Sequence, residues 1–179
     1  MFQNYSFDGF NVIHIDWILP FQNETFQSYA FRISENMNDE NAILIGLSFG
    51  GMLSVEISKI KRFKKIFLLS SAKTKSEIPF YYKVLGKLNL LEIIPVSFLK
   101  SVNFLTYLVF GAKTNSEKNL LKDIVKNTES SFMKWALHQI INWKNKDFDG
   151  NIVHIQGNRD LILPHYFVKF DYLIDGGTH

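Results

Sequence analysis

Ser48 stands between two glycines in Gly46-Leu47-Ser48-Phe49-Gly50, directly after the apolar run Ala42-Ile43-Leu44-Ile45 and before Met52-Leu53-Ser54-Val55. That order reads as a buried strand, a sharp turn and a helix, and a side chain at the tip of such a turn sits in strained backbone geometry. Strand and helix approach too closely to admit a Cβ two positions either side of the serine, so Gly46 and Gly50 are the residues the turn demands. The turn lifts the Ser48 hydroxyl above the carboxyl ends of the strands, where ligands bind in open α/β sheets. It also sets the Phe49 amide at a helix N-terminus, aimed where negative charge develops on an attacked carbonyl.

A serine hydroxyl is a weak nucleophile unless a base activates it and a carboxylate orients that base. Both residue types occur later in the chain, each after a strand-like run. Residues 152–155 lead into Gly157-Asn158-Arg159-Asp160, and residues 172–174 lead into Asp175-Gly176-Gly177-Thr178-His179. Asp149 and Asp175 are alternative carboxylates, and Asp160 could instead cap a turn. His165, beside Pro164, is the alternative base, while His179 lies where chain ends fray. His14 and His154 fall within strand-like runs and read as hydrogen-bonded core residues; His138 lies on a helix with nothing nearby to use it. No histidines or carboxylates show ligand spacing such as H-E-x-x-H, so neither a metal nor a cofactor is expected.

The elements that must position these groups are visible as periodicities. Apolar runs at 12–15, 42–45, 65–69, 152–155 and 172–174 each suit a strand covered on both faces. Between the first two, Phe26, Tyr29, Ala30, Ile33 and Met37 keep helical spacing, and a second helix spans 51–60. Strands alternating with single helices predict a mostly parallel α/β sheet with flanking helices. From 71 to 149 the alternation gives way to helical patterns, which read as an inserted helical cap within one domain covering 1–179. There Thr114-Asn115-Ser116-Glu117 has capping-box spacing ahead of Leu120, Leu121, Ile124 and Val125. A further helix carries Phe132, Trp135, Ala136, Ile140 and Trp143, a broad stripe suited either to core packing or to roofing an apolar pocket.

Bulk properties narrow the class. The 179 residues are 46% hydrophobic and 21% charged, as in an ordinary globular chain, and the net charge of +3 comes from dispersed lysines. No basic block interleaves with aromatics, so nucleic acid is not an expected partner. The absence of cysteine excludes disulfides and thiol chemistry. The opening MFQNYSFDGF has no secretory pattern, so a cytoplasmic location is expected. The greasy stretch 95–112 is broken by Lys100 and Asn103, short of the roughly 18 apolar residues of a span, so no membrane association is expected.

Taken together, the ordered motifs resemble the α/β-hydrolase family, in its small bacterial serine esterase-like form. Gly46-Leu47-Ser48-Phe49-Gly50 resembles the nucleophile elbow, Gly157-Asn158-Arg159-Asp160 the acid loop and Gly176-Gly177-Thr178-His179 the histidine loop. The resemblance implies Ser48 as nucleophile, His179 as general base and then acid, Asp160 as the group orienting the imidazole, and Phe49 as one oxyanion amide. It implies a serine hydrolase that cleaves an ester, thioester or related acyl substrate through an acyl-enzyme. Cap aromatics Phe80, Tyr81, Tyr82, Phe98, Phe104, Tyr107 and Phe110 suggest an apolar small-molecule acyl or aryl group.

Two parts that the family implies are missing from this sequence. One is the strand and glycine-containing loop that supply a second oxyanion amide, the strand lying between those at 12–15 and 42–45; the other is the helix after the histidine loop. The expectation is therefore an incomplete version of a longer hydrolase, truncated at both ends. A non-catalytic domain of the same fold, without a complete oxyanion hole, is the competing expectation.

Overall fold

Four of the five apolar runs form one parallel sheet, ordered β1 (Ile43–Leu47), β2 (Lys65–Leu69), β3 (Ile152–Gly157) and β4 (Tyr172–Ile174). The computed structural model describes residues 7–87, 95, 100–148 and 151–179. Leu47 lies opposite Leu69, Leu69 opposite Ile155, and Gly157 opposite Ile174, so all four strands finish at the same edge. Ser48, the acid loop and the histidine loop therefore emerge side by side although they are far apart in sequence. Successive side chains of β1 and β2 alternate between buried and half-buried positions, as apolar strands do between covering layers. β4 differs from the expectation of two covered faces, because Tyr172, Leu173 and Ile174 are all exposed.

The run at 12–15 is not a strand. It has neither helix nor strand geometry and its side chains face outward, Ile13 being 79% exposed. A strand needs a neighbouring ladder to satisfy its backbone groups, whatever its β propensity. The resemblance places another strand between this run and β1, and none of the described residues supplies one. His14 consequently lies exposed on this segment and is not the core histidine expected from its neighbours.

Side chains tie down the segment between this run and the first helix. The Tyr29 hydroxyl donates to the Ile18 carbonyl at 2.9 Å. Arg32 grips the buried Glu24 through two nitrogens, at 3.0 and 2.7 Å, and donates to the Leu19 carbonyl at 2.8 Å. Both anchors stand on α1 (Phe26–Ser34), whose N-terminus is capped by Thr25 accepting from the Ser28 amide. Phe26, Tyr29 and Ala30 are buried as their spacing predicts, but the helix stops before Met37, which packs on the core from the following turn.

The helix α2 (Phe49–Ser58) carries buried residues all round, from Gly51 to Ile57, as expected of a helix enclosed between sheet and α1. Within it Glu56 is 1% exposed, accepting from the Trp143 indole and from Lys59. Lys59 also reaches the buried Asn145, whose amide nitrogen donates to the Lys73 carbonyl. This polar clasp fastens the segment before β3 to α2 and to the loop after β2.

Between β2 and β3 the described helices are α3 (Phe80–Lys87), α4 (Phe104–Phe110), α5 (Asn115–Asn127) and α6 (Ser130–Asn142). The capping box forms as spaced, with Thr114 accepting from the Glu117 amide and Glu117 accepting from the Thr114 amide. The broad aromatic stripe is core: Phe132, Ala136 and Trp143 are buried, and Trp135 packs against Tyr29 at 4.5 Å between ring centroids. Phe98 and Asp149 lie outside the described residues. No helix among the described residues is long and apolar enough to cross a membrane.

Candidate active site

Ser48 has φ 51° and ψ −121° at the junction of β1 and α2. A non-glycine residue in that region is strained, and such strain persists where surrounding packing holds it. The holding contacts are explicit: the Ser48 amide donates to the Leu69 carbonyl at 2.9 Å, and the Ser71 hydroxyl donates to the Ser48 carbonyl at 2.7 Å. Gly51 and Met52 donate to the same carbonyl and open the helix. Phe49 is the first helical residue, so its amide is among the first-turn donors that have no intrahelical acceptor.

The glycines divide differently from the sequence expectation. A Cβ on Gly46 would meet the Gly50 carbonyl oxygen at 2.5 Å, as the turn demands. A Cβ on Gly50 would make only ordinary contact, 3.8 Å from the Trp17 ring, so Gly50 is not sterically required. The second required glycine is Gly51, where a Cβ would collide with the Ser71 side chain. Helix and β2 loop meet there, one residue further on than the elbow pattern suggested.

Asp160 comes after β3 in a tight turn. Its Oδ1 accepts the Ile162 and Leu163 amides at 2.9 and 2.8 Å, and its Oδ2 lies 2.8 Å from His179 Nδ1. The side chain is 0% exposed and that of His179 is 5% exposed. Because a carboxylate oxygen only accepts, His179 Nδ1 carries the ring proton. His179 Nε2 then accepts from the Ser48 hydroxyl at 2.7 Å. Burial pushes the Asp160 carboxyl upward, but the His179 hydrogen bond and charge and the Leu163 and Ile162 amides outweigh it, holding the carboxyl below its ordinary value of 3.8.

The histidine loop is held in place. Arg159 donates to the Gly177 carbonyl at 2.9 Å, and Asn158 both donates to the Ile174 carbonyl and accepts from the Gly176 amide. A Cβ on Gly157 would meet the Gly177 carbonyl oxygen, so the acid and histidine loops touch backbone to backbone. From the helical segment, α4 ends at Gly111 against Thr178, and the Phe110 ring meets the His179 ring edge-on at 5.9 Å. Tyr82 of α3 donates to the Ile162 carbonyl at 3.1 Å. Of the alternatives, Asp175 is exposed and accepts from Asn158, His165 packs on Tyr166 and Phe170, and His138 is exposed on α6. His154 is buried and hydrogen-bonded, as its place in β3 predicts. Sequence reasoning did not single out Gln156, whose side chain donates to Asp160 Oδ2 at 3.0 Å, because an isolated glutamine in a strand carries no motif.

No family model matches the sequence, and no curated protein does. Solved structures do. The chain is similar to olei00960, a hydrolase from Oleispira antarctica, at 15% identity and TM-score 0.58, covering 87% of this chain and 63% of that one. It is similar to the meta-cleavage product hydrolase CumD from Pseudomonas fluorescens IP01 at 13% identity and TM-score 0.55, covering 88% and 66%. It is also similar to MGS-M2, an alpha/beta hydrolase enzyme from a Medee basin deep-sea metagenome library, at 10% identity and TM-score 0.52, covering 86% and 64%. The chain thus spans less than two thirds of the length of these three structures. The chain has the α/β-hydrolase fold, in incomplete form.

Proposed function

We propose that the protein is a serine hydrolase that cleaves an ester, thioester or related acyl substrate, with Ser48, His179 and Asp160 as its catalytic triad. The observation that carries this reading is the unbroken chain of hydrogen bonds from Asp160 Oδ2 through the His179 ring to Ser48 Oγ. His179 Nε2 takes the hydroxyl proton as Ser48 Oγ bonds to the substrate carbonyl carbon, and the imidazolium then gives that proton to the leaving oxygen or sulfur. Water, activated by the same nitrogen, releases the acid and restores Ser48. Asp160 keeps the proton on Nδ1 and stabilises the ring while it is charged. The Phe49 amide, at the start of α2, donates to the oxyanion, a contribution worth about 3 to 4 kcal/mol to the transition state. Phe110, edge-on to His179, supports an apolar acyl or aryl substituent.

The competing reading, a non-catalytic domain of this fold, is favoured by the 12–15 run lying outside the sheet, since the resemblance places the second oxyanion amide ahead of it. Reaction with a fluorophosphonate probe separates the two. Labelling of the native chain, lost in Ser48→Ala, is the expected result; a folded native chain that stays unlabelled overturns the hydrolase.

A further inference from the structure

Gln156 lies on β3 four residues before Asp160 and is fully buried. Its Nε2 is 3.0 Å from Asp160 Oδ2 and 2.7 Å from the Leu163 carbonyl oxygen. Both partners accept only, so the nitrogen must stand there and both of its hydrogens are used. The Oε1 then faces His154 Nε2 at 3.2 Å, which fixes the amide at a third point. The Nε2–H tautomer that makes this bond leaves Nδ1 without a proton, so the 3.1 Å approach of Nδ1 to the Lys169 carbonyl oxygen is a contact and not a second hydrogen bond. Residues 154 and 156 share one face of the strand, so the sheet presents both side chains beneath the acid loop.

The two oxygens of Asp160 are held differently. Oδ1 is bound by the Ile162 and Leu163 amides of its own loop, which hold that oxygen and leave Oδ2 to donors from elsewhere. Oδ2 takes two donors from outside that loop, His179 Nδ1 and Gln156 Nε2. One belongs to the group that must change protonation, and the other is rooted in the sheet. We propose that Gln156 is a positioning residue, which pins the Asp160 carboxylate so that Oδ2 faces His179, with His154 holding Gln156 in the required orientation. The proposal rests on the reading of Asp160 as the group behind the imidazole. By sharing the charge on Oδ2, the Gln156 N–H also keeps that oxygen from drawing the His179 proton too strongly.

The test uses Gln156→Met, which keeps length and volume but deletes the donors, and Gln156→Glu, which keeps the shape and an oxygen facing His154. Circular dichroism establishes that each is folded. Two signals are read: the rate of fluorophosphonate labelling at Ser48, and the downfield proton resonance of His179 Nδ1–H. Loss of one hydrogen bond to a charged group predicts labelling slowed about ten- to hundredfold in Gln156→Met, with the resonance displaced. Gln156→Glu should be slowed at least as much, because a second acceptor replaces the donor. A folded variant with native labelling and an unmoved resonance overturns the proposal. In the native chain the Gln156 side-chain N–H protons should resist exchange with solvent, and rapid exchange overturns it even if neither variant folds. If the native chain is not labelled at all, the hydrolase reading fails alone, and the resonance still decides the role of Gln156.

Discussion

Asp160 does two things at once, one with each oxygen. Oδ1 caps the turn and Oδ2 meets the imidazole, so turn capping does not preclude the role proposed for this residue. This predicts the outcome of Asp160→Asn. The turn needs an acceptor toward the Ile162 and Leu163 amides, which sends the new NH2 group toward His179 Nδ1 and deprives the Gln156 amide of its acceptor there. The ring must then accept there and carry its proton on Nε2, facing Ser48 with nothing to take the hydroxyl proton. Labelling by a fluorophosphonate should fall by about 10⁴-fold while circular dichroism stays native. Retained labelling within a factor of ten would show that Asp160 is not the orienting group.

At the scale of elements, the elbow was legible because its parts are local: an apolar run, a serine between glycines, and an apolar helix. β2 and β4 match their runs at 65–69 and 172–174 for the same reason. The illegible parts depend on partners distant in sequence. The 12–15 run has strand composition but no ladder, and Gly51 is required only because Ser71 arrives from the loop after β2. Gln156 and the Glu56–Trp143 clasp likewise have no local signature. The glycine distinction is measurable. Gly51→Ala should cost about 1 to 3 kcal/mol, the usual range for forcing an extra methyl into a packed site. Gly50→Ala, whose methyl meets only the Trp17 ring at van der Waals distance, should change stability by less than about 1 kcal/mol. Urea midpoints measure both, and equal losses would sink the assignment of Gly51 as the close-approach residue.

For the molecule as a whole, the sheet edge gathers groups 131 residues apart into one hydrogen bond, and that assembly ties stability to pH. Three buried groups act in the same direction. His154 is pushed below its ordinary 6.5, first by burial and then by Lys73, against the opposing pull of Glu77, the Lys169 carbonyl and Gln156. Glu24 is held below 4.5, chiefly by its hydrogen bond from Arg32, and Asp160 below 3.8. For each group the unfolded chain takes up a proton at a higher pH than the folded chain, so acidification favours unfolding. The His154 contribution is complete above about 6.5 and is lost as pH falls from there toward its lowered folded value; those of the two carboxylates are lost in turn below about 4.5 and 3.8. Thermal melting of the native chain should therefore drop between pH 7.5 and 5.5, each kcal/mol lost lowering the midpoint by about 2 to 4 °C in a chain of this size. His154→Gln removes the titrating ring while leaving a polar group in the strand, and should flatten that interval while keeping the steeper fall below about pH 4.5. Equal slopes for the native and variant chains between pH 7.5 and 5.5 would show that His154 does not carry the effect.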